Sequence, residues 1–346
     1  MSALVVRALR HITFSGWGTA FPALELDNEE VIRRLPSTFS SGRELDAERI
    51  AFLADGFREN SGVSRRAWAH LVGQPLDHAN EATSATLGAE ALRRALEVAK
   101  LDPKELSLVT VATSTPHRMT STVSADIAAR VGADCAAFDS RAGCASSLLA
   151  LTTASHYVSG GAEHVAVIGA ECFSKIIPQD SKVASLSLGD GAGALIVSRG
   201  KGSLVSAYHR TDGTLGKLVS TSGALPPVAE DIARGGFVMS GDADELLSAI
   251  PGKYEEALAS VLRDAAGPID WYVPHQTSIP LIRKFASRVA AKHAFINVEK
   301  HANIGAAGTI VALAEALAAG HIGSGTRVLS AAVGGGMSWG SALYEL

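Results

Sequence analysis

In Arg141-Ala-Gly-Cys-Ala-Ser-Ser-Leu-Leu-Ala150 a thiol follows a glycine and enters an apolar helical stretch. Cysteine caps helices poorly beside Ser, Thr, Asp or Asn, so Cys144 asks for another role at that place. There, unpaired backbone N–H groups and the helix dipole favour a thiolate with a lowered pKa, the form that attacks a carbonyl. Such a nucleophile needs partners that handle protons and stabilise charge. In the second half of the chain, Val273-Pro-His-Gln276 puts His275 just past a short strand. Lys300-His-Ala-Asn-Ile-Gly-Ala-Ala307 puts Asn303 at a helix start. Gly334-Gly-Gly-Met-Ser-Trp-Gly340 lacks the spacing and following helix of a dinucleotide-binding turn, but its glycines let a backbone N–H approach a developing oxyanion. Each residue also has a plainer reading: Cys144 as a small buried residue, His275 as a hydrogen-bonded strand terminus, Asn303 as a helix cap. Cys135 and Cys172 lack the strand-turn-helix setting and read as packing. His301 precedes the helix and reads as a supporting or exposed residue. His70, His78, His117, His164, His209 and His321 sit near polar or turn sequence and read as surface or cap residues.

Alternating elements must position these groups. Ser107–Thr113, Val165–Gly169 and Ala194–Ser198 read as buried strands, and Ala85–Ala99 and Ala145–Val158 as helices. The pattern returns with strand Ile269–Val273, helices Ile279–Ala291 and Ala306–Ala319, and strands Arg327–Val333 and Ser341–Leu346. The helix that Cys144 opens and the helix that Asn303 opens each lead to a strand and then a glycine run, Gly189-Asp-Gly-Ala-Gly193 and Gly334-Gly-Gly336. Two duplicated halves, 1–200 and 201–346, follow from this match, with both helix starts converging between them. The first glycine run reads as a turn capped by Asp190. Residues 34–62 read as an inserted surface segment, and Arg210–Gly236 as an irregular surface arch.

Composition excludes several classes. Three cysteines without C-x-x-C spacing among 346 residues argue against a disulfide framework or a structural zinc site and for a reducing cytoplasm. With 31 basic and 35 acidic residues and no basic block, there is no field to hold nucleic acid. The start of the chain lacks a signal-peptide pattern, and no window reaches the ~18 apolar residues of a membrane span. A soluble cytoplasmic α/β protein is expected.

Cysteine at a helix start, histidine in V-P-H-Q, asparagine heading N-x-x-A-A, G-D-G-A-G and a final G-G-G-x-x-W-G together resemble the β-ketoacyl-[acyl-carrier-protein] synthase III family of the thiolase superfamily. Ser61-Gly-Val-Ser-Arg-Arg66, Ala112-Thr-Ser-Thr-Pro116 and Met239-Ser-Gly241 follow in family order, so the resemblance runs almost end to end. It implies a five-layered αβαβα sandwich of two duplicated halves, usually a homodimer. It also implies that Cys144 carries the acyl chain, that His275 and Asn303 flank a thioester carbonyl, and that the backbone N–H groups of Cys144 and Gly335 form an oxyanion hole. Decarboxylation of a malonyl thioester and carbon attack on the acyl-cysteine would then give a 3-oxoacyl product. Losing His275 or Asn303 should cost roughly 3–4 kcal/mol of transition-state stabilisation. No metal or redox cofactor is required, and the partners are acyl and malonyl thioesters on coenzyme A or acyl carrier protein. Lys182, eight residues before Asp190, matches a basic nucleotide-contacting position, and Met119 and Thr120 lie in the loop expected to reach across the dimer. The aromatic–arginine pair that clamps coenzyme A in the housekeeping enzymes is replaced by Gly56 and Asn60. That departure leaves the carrier open. Two alternatives stand beside condensation: transfer of the acyl group from Cys144 to an alcohol or amine with His275 as general base, and a non-catalytic subunit of a heterodimeric synthase.

Overall fold

Strands that read as unbroken apolar runs are buried on both faces in the computed structural model, which describes residues 3–77 and 79–346. His78 lies outside the described residues. β1 (Leu4–Ala20) precedes an excursion made of β2 (Leu24–Asp27), α1 (Asn28–Arg34), α2 (Pro36–Phe39), α3 (Ala47–Ser61) and β3 (Arg65–Trp68). The first set of αβ units is α4 (Ser84–Ala99), β4 (Leu108–Ala112), α5 (Val123–Val131), β5 (Ala136–Ser140), α6 (Ser146–Ser159) and β6 (His164–Cys172). α7 (Lys182–Ser187) leads into β7 (Asp190–Thr211), and a connection holding β8 (Ser220–Thr221), α8 (Ala229–Ala233) and β9 (Met239–Ser240) follows. The second set is α9 (Ala243–Leu262), β10 (Trp271–Tyr272), α10 (Ile279–Arg288), β11 (His293–Ala294), α11 (Val298–His301), α12 (Ala307–Ala318), β12 (Arg327–Gly334) and β13 (Ser338–Glu345).

The pairing repeats itself. β5, β4 and β6 run parallel, and β6–β7 and β7–β1 are antiparallel. Likewise β11, β10 and β12 run parallel, and β12–β13 and β13–β7 are antiparallel. One order and sense of strands is thus used twice, with the long β7 serving as the fourth strand of the first group and the fifth of the second. β1 also crosses between the groups: Leu4–Arg10 pair with the 203–209 part of β7, and Thr13–Ala20 with the 192–198 part. A cut at residue 200 therefore falls inside β7, and the first strand belongs partly to the second group.

Helices α6 and α12 touch each other and lie between the two strand groups. α12 is apolar all round and nearly every residue in it is buried, as a helix in a central layer requires. One core cluster surrounds these two helices; a second lies under α4 and α5, and a third under α9 and α10. The result is the five-layered αβαβα order.

Three local expectations are corrected. Gly189–Gly193 forms no turn: the run enters β7, and a Cβ on Gly193 would come within 2.7 Å of the Val311 amide nitrogen. Its glycines make room for α12 to lie against the strand. Asp190 accordingly caps nothing; it is buried and accepts hydrogen bonds from Ala69 N–H, Ser174 N–H and the Ser174 hydroxyl. The 34–62 segment is more than a surface insertion, because Leu35, Phe39, Ile50 and Ala54 join Leu26, Val31, Ile32, Trp68, Phe173, Leu186 and Leu188 in a core of their own. Among the histidines, His209 is buried against the Thr152 hydroxyl at 2.9 Å.

Gly193→Ala should push α12 off β7 and lower stability by about 1–3 kcal/mol, the usual cost of overpacking. Urea unfolding checks this: the midpoint should fall with the slope unchanged.

Candidate active site

Cys144 sits two residues ahead of α6, whose cap position is Ala145. Gly143 before it adopts φ +54°, and a Cβ there would meet the Gly335 carbonyl oxygen at 2.4 Å and amide nitrogen at 2.6 Å. From the other side, a Cβ on Gly334 would lie 2.2 Å from the Cys144 amide nitrogen. Two glycines from opposite halves thus allow the two backbones to touch, which no side chain at either position would permit. Backbone amides of Cys144 and Gly335 are neighbours as a result.

The V-P-H-Q segment continues β10 along β12: Val273 N–H donates to the Leu329 carbonyl and His275 N–H to the Ala331 carbonyl, at 2.9 and 2.8 Å. Buried Gln276 clamps the turn, donating to the Pro274 and Phe295 carbonyls while accepting from Asn297 N–H. His275 is 1% exposed, and neither ring nitrogen has a partner among the described residues. Desolvation lowers its pKa to about 4, so the imidazole is neutral at pH 7 and carries one N–H to donate. Its ring rests on α12 where Gly308 leaves room; a Cβ there would be 3.1 Å from Nδ1.

Asn303 is not a helix cap. α12 starts at Ala307 with no side-chain cap, and the Asn303 Oδ1 instead accepts from Gly305 N–H at 2.9 Å. Its backbone is sewn to the first half, donating to the Ser187 carbonyl and accepting from Gly189 N–H. With the carbonyl oxygen engaged locally, the Nδ2 amide is left as the donor. His301 supports this turn by stacking on Phe21 at 4.2 Å and bonding Glu315 at 2.8 Å.

The thiol itself departs from the expectation. Burial first, and the Glu171 carboxylate second, push Cys144 up to about 12, against a smaller lowering by its own backbone N–H. The residue keeps partial surface exposure, yet its sulfur is desolvated. At rest it is a thiol. Glu171, raised by burial to about 7, was not singled out by motif, although a lone carboxylate at the end of an apolar strand, Val165-Ala-Val-Ile-Gly-Ala-Glu171, was the available signal. The other predicted residues lie away from this cluster of contacts. Lys182 is exposed and donates to the Ser41 hydroxyl at 2.5 Å, and Met119, 68% exposed, and Thr120 lie in the open loop between β4 and α5. Among the described residues no group of His, Cys, Asp and Glu is arranged to hold a metal.

The chain's relatives share this arrangement of elements. Residues 138–213 match the 3-oxoacyl-[acyl-carrier-protein] synthase III family model and 265–346 its C-terminal companion. A β-ketoacyl-[acyl-carrier-protein] synthase III of Sphingopyxis alaskensis is 34% identical over 324 residues, spanning 90% of this chain and 96% of its own. The chain belongs to the synthase III family. A Neisseria meningitidis synthase III is 30% identical over 346 residues, 97% of this chain and all of its own. The synthase III crystal structure from Aquifex aeolicus superposes with TM-score 0.81 at 26% identity, over 97% of this chain and 100% of that one. The priming β-ketosynthase of the R1128 polyketide pathway superposes with TM-score 0.77 at 27% identity, over 98% of both chains. The protein is thus a thiolase-fold condensing enzyme of the acyltransferase class. The relatives' names offer no support for acyl transfer to an alcohol or amine.

With the thiol raised to about 12, thiolate should grow about tenfold per pH unit through the neutral range. Iodoacetamide alkylation, followed by intact mass with Cys144→Ala as control for Cys135, should climb without levelling between about pH 7 and about pH 10. Levelling near 8.5, an ordinary thiol's value, would contradict the burial argument.

Proposed function

We propose that the protein acylates Cys144 from an acyl thioester and condenses that acyl group with a malonyl thioester. The observation that carries this is the neutral, unpartnered, buried His275 against α12, whose start the Asn303 turn precedes, together with a cysteine whose amide abuts Gly335. Sulfur attacks the acyl carbonyl, the carrier thiol leaves with the proton, and the oxyanion is received by the N–H groups of Cys144 and Gly335. The malonyl thioester carbonyl then sits between the His275 N–H and the Asn303 Nδ2. Both donate to the enolate oxygen as carbon dioxide departs. The enolate carbon attacks the acyl-cysteine and expels the sulfur as thiolate, the 3-oxoacyl thioester leaves, and the thiolate takes up one proton from water to restore the resting thiol. This sequence balances without a metal or redox cofactor. Neutral His275 is suited to donation and would serve poorly as an imidazolium, because protonation is opposed by burial.

Acyl and malonyl thioesters on coenzyme A or acyl carrier protein are the proposed partners, with Lys182 contacting a carrier phosphate and Met119 and Thr120 shaping the acyl end. A homodimer is proposed because β5 ends the sheet with its backbone edge unpaired and Phe138 only partly buried, an edge that a second copy can extend. The Met119 loop is tied to that strand at both ends, where Thr113 N–H donates to the Ser140 carbonyl and Val123 N–H to Asp139 Oδ2. No helix of the described residues is long and apolar enough to cross a membrane, and cytoplasmic location is part of the same proposal. The priming ketosynthase among the relatives makes a specialised polyketide pathway the alternative setting to primary fatty-acid synthesis. The division into two halves acting on one site, 1–200 and 201–346, belongs to this reading.

Incubation with acyl-CoA should add the acyl mass to the protein and not to Cys144→Ala. An adduct that survives this substitution would refute the assignment. His275→Ala and Asn303→Ala should each lower malonyl decarboxylation by about a hundred- to a thousand-fold, as loss of an oxyanion donor does. Full decarboxylation in either would remove the enolate role. Light scattering should return twice the chain mass.

A further inference from the structure

Glu171 is fully buried one residue from the end of β6, and the reaction written above makes no use of it. Its oxygens accept from Ser114 N–H at 2.9 and 3.0 Å, from Thr115 N–H at 3.0 Å, from the Thr115 hydroxyl at 2.6 Å and from the Thr113 hydroxyl at 3.4 Å, all in the loop after β4. The same carboxylate accepts from Ala306 N–H, at 3.2 Å, in the second half. Ala306 is the cap position of α12, so a negative group from one half completes the helix start of the other, where the helix dipole favours it. The fit depends on Gly305, where a Cβ would lie 3.1 Å from Glu171 Oε1 and 2.3 Å from the Phe173 ring.

The Asn303 turn is therefore held at successive amides: Gly305 N–H by Asn303 itself, Ala306 N–H by Glu171. The loop after β4 presents amides and two hydroxyls to the carboxylate, and the start of α12 presents an amide. The titratable groups that face it are the Cys144 thiol ahead of α6 and the Cys172 thiol next to it on β6, and each is raised by its charge.

We propose that Glu171 is a positioning residue for the site: it locks the Asn303 turn of the second half to the loop after β4 in the first. The proposal rests on Asn303 serving as a donor in condensation. It explains why a carboxylate is retained at the centre of an apolar layer with six hydrogen bonds from five donor groups around it. Protonation weakens its acceptance of these bonds, so the lock loosens as the pH falls through about 7.

Glu171→Gln keeps the size and one acceptor while removing the charge. Deuterium uptake by the amides of residues 303–307 should quicken, because Ala306 N–H loses its carboxylate partner. Decarboxylation of malonyl-CoA should slow through kcat with KM little changed, because Asn303 is displaced and not removed. In a folded Glu171→Gln protein, unchanged uptake over 303–307 overturns the proposal, and so does an unchanged decarboxylation kcat. If circular dichroism shows that this variant does not fold, Thr115→Val takes its place. It deletes a hydrogen bond by which Glu171 holds the loop after β4, so uptake over 303–307 should again quicken; an unchanged uptake overturns the proposal. Acyl uptake from acyl-CoA by the parent protein is measured separately. Its failure would refute condensation and leave the exchange result to report on Glu171 alone.

Discussion

Everything at the site depends on one close approach, the contact between the Cys144 backbone and the Gly334–Gly335 turn. Two polypeptide backbones meet there with no side chain between them, because Gly143 and Gly334 would each drive a Cβ into the facing main chain. The contact joins the end of one copy of the repeated unit to the end of the other. It fixes where a carbonyl oxygen can find two amides at once. The central layer of α6 and α12 is packed from alanine, leucine and isoleucine to bring the two copies to that distance. Small residues in the layers are thus a condition of the chemistry, since bulkier ones would separate the amides that must cooperate.

Burial then sets the protonation states. The same apolar layers that bring the groups together strip water from them, so the histidine is neutral, the thiol protonated and the carboxylate raised. Each neutral form follows from the cost of placing an isolated charge in a poorly polarisable interior. A site prepared in this way meets a substrate oxyanion with fixed dipoles. Preorganised donors in such surroundings act on the charge that develops during reaction more strongly than they would in water. The unpartnered ring nitrogens of His275 have the same meaning. An unsatisfied polar group is costly to bury, and it is retained where a ligand supplies the missing partner.

Much of this was legible in the sequence because it depends on period and on residue type. Helices 84–99, 146–159 and 307–318 came close to their expected limits, since alanine-rich apolar stretches bounded by polar or glycine residues mark buried helices clearly. Cys144, His275, Asn303 and Gly335 were visible as residue types out of place. What was not legible depends on tertiary partners. Gly189–Gly193 looks like a turn from composition, and only the position of α12 turns it into a strand. Asn303 has the residue type of a cap, yet its side chain is spent on a local turn three residues before the cap position. The thiol's pKa follows from desolvation and from Glu171, which helix position alone does not contain. Short strands such as Trp271–Tyr272 carry too few residues for periodicity to bound them.

The excursion from Leu24 to Trp68 has one part anchored to the elements around the site and another open to solvent. Arg66, the last residue of the Ser61-Gly-Val-Ser-Arg-Arg66 run, is fully buried and donates to the Leu26 and Leu186 carbonyls and to Asn28 Oδ1. Desolvation lowers even its guanidinium to about 10, with Asp27 opposing the shift. Ser64 N–H donates to the Glu299 carbonyl, and the Gly62 backbone lies against the Ile279 side chain. The excursion is therefore anchored at its C-terminal end to α7, to the helix that follows His275 and to the segment that precedes Asn303. Its α3 helix, by contrast, presents an exposed Phe52 with Arg49 over the ring and, one turn later, Gly56 and Asn60. Anchored residues cannot change without moving the site, whereas those on the outer helix can. Gly56 and Asn60 lie on that outer part of α3, so a change there is compatible with an intact Cys144, His275 and Asn303. In α3 Ile50 and Ala54 are held in a core, and it is the solvent face of the helix that the duplicated core leaves free to vary.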